Sequence, residues 1–120
     1  MFYDIRAYRL KKYRRQAFKK QGGRCFYCRK PMWLGSAEEF ADKYGITEIQ
    51  AEPFQCTTEH LVARQDGGKD DRENIAAACL RCNSERHHVP EALPHNKYGE
   101  HVRSLEQSQE WHSRETRHML

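Results

Sequence analysis

The sequence is poor in the residues that usually build a hydrophobic core. Ile, Leu, Val and Phe occupy 19 of the 120 positions, below the roughly 20% typical of chains that fold on apolar burial alone. No apolar run approaches the ~18 to 20 residues of a membrane span. Low apolar content with high net charge indicates disorder, but the net charge is only +4 and 13 aromatic residues are present. The sequence therefore excludes a membrane span and two independent cores, and predicts a fold with an extra stabilising element.

The cysteines are the obvious candidates for that element. The N-terminus lacks the apolar stretch of a secretory signal, which predicts a cytoplasmic protein of a bacterial or phage-infected cell. Cysteines in a reducing compartment are metal ligands more often than disulfides. Cys25 and Cys28 form one C-x2-C pair, and Cys79 and Cys82 form another. We expect one structural zinc on these four thiolates and Cys56 in the core; reduced, buried thiols are the alternative.

Positive charge is concentrated at the N-terminal end. Residues 1–30 carry a net charge of +10, whereas the remaining ninety residues carry −6. No Gly or Pro interrupts the basic stretch from Arg6 until Gly22, which predicts a helix. Such a helix offers phosphate-neutralising charge to DNA, although a solvated helix face is the simpler alternative. The candidate DNA-binding residues here are Arg6, Arg9, Lys11, Lys12, Arg14, Arg15, Lys19 and Lys20.

The remaining pattern predicts an α+β fold. Ser36-x-x-Glu39 has the form of a capping box, and Gly45 is a plausible helix end. Alternation and turn residues predict two strands joined by a loop with Gly67-Gly68. The predicted helices are Ala37 to Tyr44 and Leu80 to His88, and the predicted strands are Cys56 to Val62 and Asn74 to Cys79. We expect a basic segment at 1–24, a core at 25–90 with an acidic insert at 33–55, and an extension at 91–120 with one peripheral helix and a frayed end.

The stretch between the cysteine pairs resembles the HNH endonuclease family, also known as ββα-metal or His-Me finger nucleases. The matching features are the Glu59-His60 pair at a strand end, the Gly-Gly loop, Asn74 fourteen positions after His60, and Asn83 directly after the second C-x2-C pair. The resemblance covers about residues 25–88. It implies a small ββα-metal fold held together by the four-cysteine zinc.

The resemblance also implies a role for each of these residues. His60 is expected to be the general base that activates water, and Asn74 to hold the loop and orient His60. Glu59 and Asn83 are expected to bind one catalytic divalent ion, Mg²⁺ or Mn²⁺. The implied reaction is hydrolysis of DNA phosphodiester bonds, leaving 5′-phosphate and 3′-hydroxyl ends. The chemistry fits, because a neutral imidazole can take a proton from water near pH 7, and oxygen ligands suit these ions.

Three positions depart from the family pattern. Glu59 stands where many members have Asp, Asn83 replaces the last His of the name, and Ala63 replaces a common Pro. Glu59 and His60 also pose a geometric problem, because neighbours on an ideal strand point to opposite faces. An irregular strand end is therefore required.

Several charged residues near the motif have more than one interpretation. Arg64, Arg81 and Arg86 are candidates to contact the DNA backbone. His87 and His88 are alternative zinc ligands, although we prefer them near phosphate at the helix end.

The leading functional hypothesis is a metal-dependent HNH endonuclease acting on DNA. Two alternatives share its fold. One is a zinc-stabilised DNA-binding module without useful catalysis, and the other is an accessory subunit of a phage packaging or restriction assembly that docks through the acidic insert or residues 91–120. Fold alone does not choose among these roles.

Overall fold

A single β-hairpin organises the structure. The computed structural model describes residues 4–120, so the first three residues of the predicted segment 1–24 lie outside the described residues. The strands are β1 (Cys56–His60) and β2 (Ile75–Cys79). The helices within this range are α1 (Ile5–Lys20), α2 (Ala37–Tyr44), α3 (Glu48–Ala51), α4 (Leu80–Arg86) and α5 (His95–Gln107). None of the described helices has the length and hydropathy needed to cross a bilayer.

The hairpin is antiparallel. Its register places the cysteines at one end of the hairpin and His60 at the other. Cys56 pairs with Cys79 at one end, and His60 pairs with Ile75 at the other. All residues of β2 are buried, since α1 and α4 both pack on the hairpin. Two small strands followed directly by α4, with a cysteine cluster at the junction, confirm the α+β ββα-metal fold expected from the sequence.

Helix α1 is attached to the hairpin by a side chain just beyond its end. Gln21 donates to the carbonyl oxygen of Ala77 and accepts from the amide of Ala77, at 2.8 and 3.0 Å. Together with the amide of Phe26, which also donates to the Ala77 carbonyl oxygen at 3.0 Å, these bonds occupy peptide groups at the outer edge of β2. Gly22 follows with a φ of 67°, a conformation that glycine adopts without strain, so the chain turns back there as predicted.

The apolar residues form two small clusters rather than one large core. The first surrounds the four paired cysteines and includes Tyr27, Tyr98 and Val102. The second joins Phe40, Phe54 and other residues of the insert to Met119. Dividing a small apolar content in this way leaves each cluster thin, which is consistent with the need for an additional stabilising element.

The acidic insert contains the helix predicted for it. Ser36 Oγ accepts from the amide of Glu39, and Gly45 ends α2 with a φ of 65°. Helix α2 runs from Ala37 to Tyr44, as the capping pattern indicates. The strands and α4 are one or two residues shorter than predicted at His60, Ile75 and Arg86.

The C-terminal extension differs from its prediction. Helix α5 is present, but the residues after it do not fray. Trp111, His112, Thr116 and Met119 are buried, with exposures between 0% and 7%. The prediction of a frayed polar end was therefore wrong. Scattered apolar residues in this stretch contact distant elements, and sequence periodicity does not detect such contacts.

Candidate active site and metal centre

The four predicted sulfur ligands converge on one point. The Sγ atoms of Cys25, Cys28, Cys79 and Cys82 all lie within 4.8 Å of one another, and all four residues are buried. Cys28 Sγ and Cys79 Sγ are 3.9 Å apart. Sulfurs bound at ~2.3 Å in a tetrahedron are separated by about 3.8 Å. The cluster therefore has the dimensions of a closed four-cysteine metal site.

The charge state of the thiols gives a second reason to expect a cation. Burial acts to raise the pKa of Cys25, but hydrogen bonds from the other three thiols bring it well below its ordinary value. The hydrogen bond to Cys25 raises the pKa of Cys79, and burial together with the neighbouring sulfurs raises that of Cys82. The protein alone therefore favours a thiolate at Cys25 and neutral thiols at Cys79 and Cys82. A divalent cation such as zinc would stabilise all four thiolates.

Cys56 lies outside this cluster. It is 1% exposed, and burial raises the pKa of its thiol to about 12. Cys56 is therefore a neutral core residue, as the sequence predicted.

A cleft of about 500 Å³ opens where β1 ends and α4 passes over it. Its walls include four residues predicted to belong to the site, namely Glu59, His60, Arg64 and Asn83. Glu59 and His60 are neighbours on β1, yet both line this cleft. The cleft lies where β1 ends at His60, so side chains from both faces of the strand can reach it.

Glu59 forms the floor of the cleft and is only 1% exposed. Its Oε2 atom accepts from Tyr27 Oη at 2.8 Å and from Arg86 Nη1 at 3.1 Å. Burial and the Glu59 carboxylate raise the pKa of Tyr27, so its phenol remains a donor. These contacts fix the carboxylate and leave Oε1 directed to the other side, where His87 Nε2 lies 2.9 Å away.

His60 points towards the loop between the strands. Its Nε2 atom is 2.7 Å from Asp70 Oδ1. Asp70 also accepts from Arg6 Nε at 2.6 Å, and Arg64 lies 3.5 Å from the carboxylate. Hydrogen bonds from His60 and Arg6 hold the pKa of Asp70 below its usual range. When the neutral ring carries its proton on Nε2 and donates it to this carboxylate, the Nδ1 lone pair can accept a proton.

Asn74 fastens the loop that carries Asp70. Its Oδ1 accepts from the amide of Val62, and its Nδ2 donates to the carbonyl oxygens of Val62 and Lys69. Gly68 lies against the same backbone, where a Cβ atom would overlap the Val62 carbonyl oxygen. The loop can therefore close over the strand end only with glycine at this position.

Asn83 is held against β1 from the first turns of α4. Its Nδ2 donates to Thr57 Oγ1 at 3.0 Å and to the carbonyl oxygen of Thr58 at 2.9 Å. Both amide hydrogens are thereby used. The remaining Oδ1 is the atom that Asn83 can offer to a ligand in the cleft.

His87 also lies at the site. The sequence placed it near phosphate but did not identify it as a candidate ligand of the catalytic ion. It follows Asn83 by four positions, about one helical turn, and both line the cleft. The possibility that His87 binds the structural zinc was wrong, because its Nε2 contacts Glu59 instead. The i, i+4 spacing from Asn83 is the sequence signal that could have found it.

The candidate DNA-binding arginines fall into different environments. Arg64 is exposed beside the cleft. Arg81 stacks over the Trp111 ring at 4.8 Å. Arg86 is 3% exposed and also donates to the carbonyl oxygens of His60 and Leu61. The prediction that Arg86 contacts DNA was wrong, because its guanidinium is buried and donates to groups inside the protein.

The basic residues of α1 are mostly exposed. Arg6 is paired with Asp70, and Arg14 is half-buried. The exposed remainder comprises Arg9, Lys11, Lys12, Arg15, Lys19 and Lys20. A groove of about 670 Å³ beside α1 adds Lys20, Arg24, Arg29 and Arg72, against one acid, Glu73.

The comparison with protein families agrees with this geometry. The family model for HNH endonuclease matches residues 46–89, just over a third of the chain. This segment contains the hairpin, its loop and α4, and hence the cleft. The family match and the cleft thus fall on the same segment, and residues 46–89 are similar to HNH endonucleases. No curated protein and no solved structure matches the chain.

Proposed function

We propose that the protein is a metal-dependent endonuclease that hydrolyses DNA phosphodiester bonds and leaves 5′-phosphate and 3′-hydroxyl ends. The observation that carries the proposal is the convergence of Glu59, His60, Asn83 and His87 on one cleft. A base candidate and three metal-ligand candidates line the same space. No such arrangement exists at the closed sulfur cluster, which has no open position for a substrate.

His60 acts as the general base in this proposal. The imidazole donates from Nε2 to Asp70, which lies 2.7 Å away, and Nδ1 receives the proton of the attacking water. Asn74 orients His60 indirectly. Its three hydrogen bonds position the loop that carries Asp70, and Asp70 contacts His60.

Glu59 Oε1, Asn83 Oδ1 and His87 Nε2 would hold the catalytic ion. Glu59 Oε1 and His87 Nε2 are 2.9 Å apart, close enough to bind the same ion. A divalent ion bound there would stabilise the charge that develops on the phosphate and on the leaving 3′ oxygen. An imidazole ligand favours Mn²⁺ over Mg²⁺, although both are candidates.

The DNA backbone lies along the exposed cations of α1, the groove beside it and Arg64. With about five phosphates neutralised, the logarithm of the binding constant should fall with the logarithm of salt at a slope of roughly −4.5. A structural zinc held by Cys25, Cys28, Cys79 and Cys82 would keep the hairpin and α4 in place against the N-terminal segment.

One observation favours a second candidate function. The Glu59 carboxylate already has a buried cationic partner in Arg86, which weakens its attraction for a metal ion. A DNA-binding module with the same scaffold and no useful catalysis would retain this pair. Docking of a larger assembly onto the insert or onto residues 91–120 also remains a prediction.

The test is cleavage of supercoiled plasmid with Mn²⁺ or Mg²⁺, with product ends mapped by ligation. We expect nicking by the wild type, at least 100-fold slower nicking by His60→Ala, and no change for His101→Ala, an exposed histidine on α5. Equal activity of His60→Ala would remove the assigned base. DNA binding without cleavage under either ion would favour the second candidate.

A further inference from the structure

The last residues of the chain meet the sulfur cluster. After α5, the backbone places Trp111 and His112 next to the paired cysteines, and both side chains are at least nine-tenths buried. Residues 109–119 are named here the C-terminal strap. The family match ends at residue 89, so the strap lies outside the HNH segment.

Hydrogen bonds to the four sulfurs divide between the metal-binding turns and the strap. Cys25 Sγ accepts from the amides of Tyr27 and Cys79, and Cys79 Sγ accepts from the amide of Cys82. Cys28 and Cys82 receive their side-chain contacts from the strap. Trp111 Nε1 donates to Cys82 Sγ at 3.3 Å, and His112 Nε2 lies 3.3 Å from Cys28 Sγ.

These contacts have a definite chemical direction. An indole N–H can only donate, and a thiolate has only lone pairs to offer. The His112 ring therefore places its N–H on the Nε2 side when Cys28 is a thiolate. Each strap donor withdraws charge from one sulfur, and hydrogen bonds to charged acceptors are about twice as strong as neutral ones.

Packing holds the two donors in position. The Trp111 ring carries Arg81 on its face at 4.8 Å and meets Tyr98 edge-on. The His112 ring stacks on Phe54 with 4.6 Å between centroids. Further along, Met119 inserts into the cluster around Phe54. Neither donor can rotate away from its sulfur without breaking these contacts.

We propose that Trp111 and His112 form the outer hydrogen-bond shell of the zinc centre, so that the strap controls how firmly the metal is held. The inference rests on the proposed zinc but not on nuclease activity. Outer-shell partners of metal ligands typically change metal affinity by about 10- to 100-fold when removed. The strap thus stabilises the metal-binding turns through hydrogen bonds to Cys28 and Cys82.

The first test measures zinc release from the purified full-length protein into a chromogenic chelator. Trp111→Phe keeps an aromatic ring and removes only the N–H. Trp33→Phe is the matched control, because Trp33 Nε1 donates to the carbonyl oxygen of Ala51, away from the sulfurs. We expect Trp111→Phe to release zinc about 10-fold faster than the wild type and Trp33→Phe to release it at the wild-type rate. Equal rates for both variants would overturn the proposal.

The second test measures the electronic state of the sulfur ligands by absorption spectroscopy. In Co²⁺-substituted protein, loss of an N–H donor raises the energy of the thiolate lone pairs and moves the sulfur-to-cobalt charge-transfer band to longer wavelength. Trp111→Phe and His112→Phe should show this shift, whereas His118→Phe, whose ring contacts the Tyr44 carbonyl oxygen, should not. An unshifted band in both Trp111→Phe and His112→Phe would overturn the proposal.

Two further outcomes are distinguishable. Should Trp111→Phe fail to fold, His112→Phe applies the same test to Cys28. A wild type that contains no bound metal would remove both the zinc centre and this inference, whereas zinc with unaltered release in the variants would remove the inference alone. Cleavage activity does not enter either readout.

Discussion

Arg86 Nη1 lies 3.1 Å from Glu59 Oε2 beneath the cleft, and the two side chains are 3% and 1% exposed. A charged pair at this depth is costly to desolvate and is destabilising to break, because the remaining charge is left buried. The pair therefore serves the fold and the site together. It holds the carboxylate that is proposed to bind the catalytic ion.

Arg86→Met should destabilise the protein by about 3–5 kcal/mol, because it leaves the Glu59 carboxylate without its cation. Urea unfolding at pH 7 measures the loss. Adding Glu59→Gln to Arg86→Met should restore part of the stability, since no charge then remains buried. Arg114→Met, at an exposed arginine, should change stability by less than about 0.5 kcal/mol. A similar small effect for Arg86→Met would show that Glu59 is stabilised in another way.

The sequence allowed the hairpin, α4 and the four sulfur ligands to be predicted, because each depends on local patterns. Equal C-x2-C pairs, strand alternation and the position of Asn83 after Cys82 are all read over a few residues. Arg86 was misassigned because a lone arginine on a short helix is normally exposed. Its burial depends on Glu59, 27 residues away, and on Tyr27.

The burial of the strap was also not predicted, because it too depends on contacts between residues far apart in the sequence. Trp111 and Cys82 are 29 positions apart, and His112 and Cys28 are 84 apart. No apolar pattern marks the strap, since two of its four buried residues, His112 and Thr116, are polar. These contacts can be identified only from a structure in which the cysteine cluster is assembled.

Gly68→Ala should disrupt the loop between the strands. A Cβ atom there would overlap the Val62 carbonyl oxygen, and forcing extra volume into a tight site costs about 1–3 kcal/mol. Amide hydrogen exchange at Val62, bonded to Asn74, should accelerate, and nicking should slow. Gly99→Ala is the control, since the added methyl meets only the end of the Arg103 side chain and lies within α5. If both variants behave alike, the close approach at Gly68 is not what closes the loop.

Asp70 gives the protein a stability contribution that depends on pH. Hydrogen bonds from His60 and Arg6 lower the pKa of Asp70 in the folded state, relative to about 3.9 in an unfolded chain. The contribution is therefore complete above the unfolded pKa and is lost as pH falls through the folded pKa. The difference between the urea midpoints of wild type and Asp70→Asn should be largest at pH 6 and should narrow as the pH is lowered within the range in which the protein keeps its zinc. Asp66→Asn, which removes a carboxylate of the same loop, is the control.

Removal of the structural metal should unfold the protein. A zinc centre contributes about 10 kcal/mol in small modules, comparable to the whole stability of a small domain. Cys79→Ser should lose stoichiometric zinc and its helical circular dichroism, as should wild type treated with a strong chelator. Cys56→Ala should retain one zinc per chain, because Cys56 lies outside the cluster. Retention of zinc by Cys79→Ser would exclude Cys79 as a ligand.

His87→Ala tests the composition of the catalytic metal site. If His87 Nε2 and Glu59 Oε1 are adjacent ligands, removing the imidazole should weaken Mn²⁺ binding at least about tenfold, equivalent to about 1.4 kcal/mol. Titration calorimetry on zinc-loaded protein separates this ion from the one at the cysteines, and the zinc content should stay unchanged. His101→Ala serves as the matched control. Because imidazole ligands favour Mn²⁺ over Mg²⁺, His87→Ala should also reduce the ratio of Mn²⁺- to Mg²⁺-supported nicking. An unchanged Mn²⁺ affinity would limit the ligands to Glu59 and Asn83 and assign His87 to holding the Glu59 carboxylate.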